Sequence, residues 1–223
     1  MLALQKHIIK KQNEHRNHSF FEELDKQEDF FNAMDFAVKL TFWVMAFQDI
    51  LRLIPPRINS KALRRIATHH KVEDGGHNLW FLQDINFLNK GNNKHNNIAW
   101  LFSKENEIAR DFSYRMISEV FNLAKDHEKI TLILALESGG HVFFEKISNF
   151  VKLKGYNADL KYFSSHHLEV EKNHAVFEES LMKELVSLQL NEEERLQAIA
   201  LVDRFYEGIN TLFDQFYNNF IYA

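Results

Sequence analysis

The chain has 223 residues, a formal net charge of −4 and no cysteine, with 45% hydrophobic and 26% charged residues. This length and composition fit a folded chain with a well-buried core and argue against disorder. The mixed signs with no basic stripe argue against nucleic acid as a partner, and the missing thiols exclude disulfides, thiolate metal sites and cysteine nucleophiles.

Two Pro and seven Gly stand beside 21 Phe. A fold of many short strands needs a turn residue every ~8–12 positions, so the scarcity of breakers points to long helices and an all-α fold class. The opening MLALQKHIIKKQNEHRNHSF has only a short apolar patch before basic and polar residues, and fits neither a signal peptide nor a membrane anchor. A short helix is expected from Ser19 to Leu24, with Glu22 and Glu23 in its first turn. A long amphipathic helix follows from Phe30 to Leu53 and stops at Pro55 and Pro56. Around Phe36 to Ile54 this stretch carries Lys39, Asp49 and Arg52, so no uncharged run of the ~18 residues expected of a membrane span occurs, and a cytoplasmic location is expected. Asn59 or Ser60 caps a segment from Lys61 to about Phe87, and Gly91 with Asn92, Asn93, Asn96 and Asn97 marks a loop. Further helices are expected over Lys104 to Ala124, Lys129 to Leu153, Ala158 to about Ser187, and Glu192 to Tyr217, with a turn near Gly155. No linker divides the chain, so residues 1–223 are expected to form one domain, a single bundle of seven to eight helices.

The residues able to do chemistry gather in three segments. Ser165 to His174 places His167, Glu171 and His174 at H-x3-E-x2-H, which on a helix is one face over two turns. Two imidazoles and a carboxylate suit Fe(II), Mn(II) or Zn(II). The competing reading is a solvated polar face, since the chain holds 12 His. Val72 to His77 and Leu136 to His141 share the pattern E-x-G-G-H, which on a helix sets a carboxylate and an imidazole one turn apart, and the repeat hints at a two-fold relation within the bundle. Glycine in a helix interior costs ~1 kcal/mol relative to Ala, so each pair calls for a reason. Close backbone approach to a helix, metal or substrate is one. The alternative is that Gly75-Gly76 is a turn and Gly139-Gly140 permits tight helix packing. The assembled candidate metal ligands are Glu73, His77, Glu137, His167, Glu171 and His174. Inward-facing carboxylates and imidazoles on neighbouring helices are how bundles build two-metal sites.

Taken together, Glu73 to Ile85 (EDGGHNLWFLQDI), Leu136 to Phe144 and Tyr162 to His174 resemble the haem-oxygenase-like di-iron oxidases and oxygenases, the iron-containing relatives of the TenA and PqqC proteins. In that family an early helix supplies a Glu and a His, a middle helix a Glu, and a late helix H-x3-(D/E)-x2-H. The resemblance runs from roughly Lys61 to Glu178 and is sharpest in the late triplet. It implies a haem-oxygenase-like helical bundle holding two Fe ions, or Mn in their place. It also implies O2 as co-substrate and oxidation of a small organic molecule, apolar or amino-acid-derived; a homodimer stays open.

Some residues depart from the pattern. His70 can replace or join Glu73, because the Glu-to-His spacing varies in the family. His141 has no place in the six-ligand set and is expected beside it, orienting Glu137 or a bound carboxylate. His166 points about 100° away from His167 around a helix. Asp84 could take a hydrogen bond from a ligand or form an ordinary salt bridge. The aromatics Phe42, Trp43, Phe47, Trp80, Phe81, Phe143, Phe144 and Phe163 read as core, some lining a cavity. Three rivals remain. One is a metal-free TenA- or PqqC-like enzyme, the first disfavoured for want of a Cys. Another is a haem oxygenase with His15 or His18 as axial ligand, which leaves the late triplet without a task. The third is a non-catalytic helical interaction protein, whose ligand candidates would lie exposed and apart.

Overall fold

A helix that is apolar nearly all round must sit inside the molecule, and α9 (Asp126–Leu153) is such a helix: Ile130, Ile133, Ala135, Val142, Ile147 and Phe150 are all buried. The computed structural model describes residues 2–89, 98–173 and 190–222, and among these the chain is an all-α bundle without strands. Around α9 pack α1 (Leu2–Arg16), α2 (Ser19–Lys26), α5 (Lys61–Glu73), α10 (Ser165–Asn173) and α11 (Glu192–Tyr222). A second layer forms where α4 (Thr41–Leu53) lies on α8 (Glu107–Asn122), with α6 (His77–Leu88) against α4. The short helices α3 (Phe30–Ala33) and α7 (Ile98–Leu101) complete the order.

Several boundaries differ from those expected. The first 16 residues contain a helix that sequence periodicity does not announce. Among its described side chains the inward face holds Leu4 and Ile8 as apolar members, with His15 fully buried beside them. The face is completed by pairing with α11, His7 to Asp203 at 2.7 Å and His15 Nδ1 to Asn210 Oδ1 at 2.7 Å. Phe30 to Leu53 is not one helix, because a 3-10 stretch, Met34–Leu40, separates α3 from α4 and turns Met34, Phe36, Ala37, Val38 and Leu40 inward. Across Phe30–Arg57 the chain is long and apolar enough to cross a membrane by composition, and half of its most apolar window is buried in the fold. The segment after Gly155 runs through turns before α10 begins at Ser165, so the helix expected from Ala158 starts a full two turns later. What was expected to continue to Ser187 lies, from 174 to 189, outside the described residues.

Lys61 to Phe87 is likewise two helices. Gly76 has φ 91, a left-handed conformation that residues with a Cβ adopt at a cost, and it ends α5 and opens α6. The two E-x-G-G-H motifs therefore differ in backbone: the first is a helix-turn-helix corner and the second lies inside the unbroken α9. At Gly139 the reason for glycine is contact, since a Cβ there would stand 2.9 Å from the Phe205 ring of α11. The start of α5 is tied to the start of α9 by Asp126, whose carboxylate accepts from the amides of Asn59 (3.0 Å) and Ser60 (2.7 Å).

Candidate metal centre

The buried stripe of α5 runs Leu63, Ala67, His70 and continues to Asp74 at the helix C-cap, positions i, i+4, i+7 and i+11 on one face. The apolar part of the stripe seats the helix, and its last turn delivers an imidazole and a carboxylate to the interior, 1% and 2% exposed. There His70 Nε2 lies 2.8 Å from Asp74 Oδ2 and 2.5 Å from Glu137 Oε1 of α9. One donor atom each from His70, Asp74 and Glu137 fall within 4.8 Å of one another. Burial opposes a charge on the imidazole, but the Glu137 and Asp74 carboxylates outweigh it and hold the His70 pKa well above its ordinary value. Two carboxylates this close together, Asp74 buried and Glu137 largely so, favour a cation between them. A proton on His70 supplies one; a metal ion with His70 neutral would supply another.

A second group adjoins the first. Gly76 turns the chain so that His77 begins α6 facing inward, and its Nδ1 stands 3.9 Å from Asp74 Oδ1 and 3.0 Å from His167 Nε2. His167 of α10, 1% exposed, donates through Nδ1 to the carbonyl of Tyr162 at 2.8 Å, which leaves Nε2 with the lone pair in the neutral ring. Nitrogens 3.0 Å apart have the spacing of neighbouring ligands on one ion with bonds of ~2.1 Å. Aromatic rings enclose the pair: Trp80 stacks on His77 at 4.5 Å, and Phe144 covers His167 at 3.9 Å.

Asp84, one further turn pair along α6 and 2% exposed, sets where His167 sits. Its carboxylate accepts from the amides of Lys161 (2.8 Å) and Phe163 (3.0 Å), clamping the turn whose Tyr162 carbonyl orients His167. Burial raises the Asp84 pKa, while the amides at Lys161 and Phe163 oppose the rise. Asp84 thus acts on His167 chiefly through the backbone of this turn, with no ion pair to Asp84 among the described residues.

The structure brings together His77, Glu137 and His167 of the expected set. Glu73 is not with them. It lies about 100° round the helix from Asp74, and its partly buried carboxylate pairs with His69 at 3.0 Å. Asp74, overlooked in the sequence, and His70 hold the inward positions instead, and the signal for both is the Leu63-Ala67 stripe that points at them. Glu171 lies on α10, but its side chain, like the whole of His174, falls outside the described residues. His141 does not reach Glu137; it is half-exposed, 3.8 Å from Glu145. His166 is exposed, edge-on to Trp80. His15 and His18, the axial candidates of the haem reading, face Asn210 and Asp214 of α11, and neither lines the cavity described next.

Asp74, His77, Glu137 and His167 all open on one cavity of about 70 Å³, enclosed by α4, α9 and α11. Trp43, Phe47, Phe143, Phe144, Leu212 and Phe213 belong to its apolar wall. Of the aromatics named from the sequence, Phe81 and Phe163 are wholly buried core instead, and Phe42 packs on Phe102. No protein-family model and no curated protein sequence matches this chain.

Proposed function

We propose that the chain is a non-haem, O2-dependent oxidase or oxygenase of the haem-oxygenase-like di-iron type, acting in the cytoplasm on a small organic substrate. The observation that carries this reading is the convergence of His70, Asp74, Glu137, His77 and His167, four of them almost wholly buried, with all but His70 lining the polar end of one apolar cavity. Imidazoles and carboxylates in this ratio suit Fe(II) or Mn(II). Asp74 stands between the two groups of nitrogens, 2.8 Å from His70 and 3.9 Å from His77, and Glu171 and His174 follow His167 at i+4 and i+7 in the sequence. Glu73 is left out of the proposed ligand set in favour of His70 and Asp74.

Bound iron would supply the activation of O2. The chain's own residues do the rest. His167 is held in one tautomer by Tyr162, so its Nε2 is available as a donor without a proton to lose. Trp80 and Phe144 exclude water from the two imidazoles, and the cavity wall positions the substrate beside them. The apolar surroundings strengthen each electrostatic contact with the carboxylates.

The test is the iron content of chain produced with added iron and purified anaerobically, beside a His167→Ala, His174→Ala double variant. About two irons per chain, as bundle sites of this kind hold, lost in the variant and accompanied by an ultraviolet-visible band on O2 exposure, are expected. Absence of metal from both proteins, with helicity intact, defeats the reading.

A further inference from the structure

Gly139 and Gly140 are neighbours in α9, yet they face different things. Phe205 leaves no room for a Cβ at Gly139, whereas a Cβ at Gly140 would meet only Phe144 Cε2, at 4.0 Å. Helical glycine is destabilising unless something needs the space, and among the described residues no group other than the Phe144 ring edge comes near the space at Gly140. Gly140 lines the cavity, one turn from Glu137 on the same helix. Among the described residues that line the cavity there is no Lys or Arg; its charged members are Asp74 and Glu137 and its remaining polar ones His77, His167, His141, Gln48 and Tyr162. Two carboxylates at the inner end repel an anion, the cation they need is already supplied at His70, and the aromatic and aliphatic wall otherwise suits an uncharged body. At ~10–15 Å³ for each water-sized group, a cavity of about 70 Å³ has room for roughly five to seven such groups, the scale of a single ring.

We propose that the space left by Gly140 is a binding site for an uncharged molecule with one ring-sized hydrocarbon body, seated against the α9 backbone, its single polar end turned toward His77 and Glu137. It rests on the metal-centre reading only in making that polar end the reacting end. Gly140 is the residue that sets the size of molecule admitted. A leucine there fills the cavity, and an alanine narrows it.

The experiment uses the full chain in chelator, with benzyl alcohol and benzoate as the probes and binding followed by ligand-observed NMR titration. Wild type is expected to bind benzyl alcohol at least about tenfold more tightly than benzoate. Gly140→Leu is expected to lose benzyl alcohol binding by about tenfold or more, and Gly140→Ala to weaken it by a smaller factor while melting about 2 to 4 °C higher than wild type. If the leucine variant does not fold, the alanine variant decides. Failure of wild type to bind benzyl alcohol, a preference for benzoate, or unchanged affinity in the folded glycine variants overturns the proposal. Because no metal is present in any arm, loss of the metal-centre reading leaves these outcomes standing, and their failure leaves the metal content untouched.

Discussion

Alanine at Gly139 and alanine at Gly140 are expected to move stability in opposite directions. Either substitution gains ~1 kcal/mol of helix propensity. At Gly139 the new Cβ meets Phe205 Cε1 and Cζ at 2.9 Å, against an optimum of roughly 3.5–4.0 Å between carbons, so the ring must withdraw by ~0.6 Å or more. Phe205 is 1% exposed and hemmed by the Tyr206 and Phe112 rings, so it has nowhere to go without disturbing both. Overpacking of this kind costs ~1–3 kcal/mol, which leaves Gly139→Ala a net loss of about 1 kcal/mol. Gly140→Ala meets Phe144 at 4.0 Å and keeps its gain. The two variants should therefore differ by about 2 kcal/mol, or ~4–8 °C in Tm for a chain of this size. Thermal and urea unfolding followed by circular dichroism in chelator measure it. Adding Phe205→Leu to Gly139→Ala should recover part of the loss, because the smaller side chain yields the space. A Gly139→Ala protein as stable as Gly140→Ala refutes the packing argument.

Three further outcomes are expected. Burial pushes the His15 pKa down from 6.5 to about 4, against the opposing hydrogen bond to Asn210. Below pH ~6.5 the unfolded chain then binds the proton that the folded chain refuses, so up to ~3 kcal/mol of stability present above that pH is lost as pH falls toward 4. Urea midpoints at pH 7 and 4.5 should fall less in a His15→Leu, Asn210→Leu double variant than in wild type. Asp84→Asn removes a charged acceptor from the Lys161 and Phe163 amides, and should cost ~1–3 kcal/mol of stability and weaken Mn(II) binding about tenfold or more through the loosened His167. Calorimetric titration alongside urea unfolding would detect either failing. Mn(II) at about 100 times its Kd should raise the wild-type Tm by about 5–10 °C; Glu137→Gln should abolish most of that rise, and an equal rise in both proteins would remove Glu137 from the site.

The all-α class was legible because two Pro and seven Gly in 223 residues leave little but helices. That His77, Glu137 and His167 come to line one cavity was legible because imidazole and carboxylate at helical spacing among apolar neighbours is an uncommon arrangement. The choice of Asp74 over Glu73 was not, since adjacent acids in one helical turn look alike until the partner face is known. That face belongs to α9, whose distance from α5 no local pattern records, although the Leu63 and Ala67 stripe does point the way. The α1 helix is hidden in the sequence for a related reason: the inward polar side chains His7 and His15 find their partners in Asp203 and Asn210, almost two hundred residues further on. The sequence by itself determined which residues can be helical and which can bind a cation. Only the tertiary structure decided which of two neighbouring glycines is filled by a phenylalanine and which is left facing a cavity, because that depends on the packing of α11 across α9, a contact between segments that are local to neither.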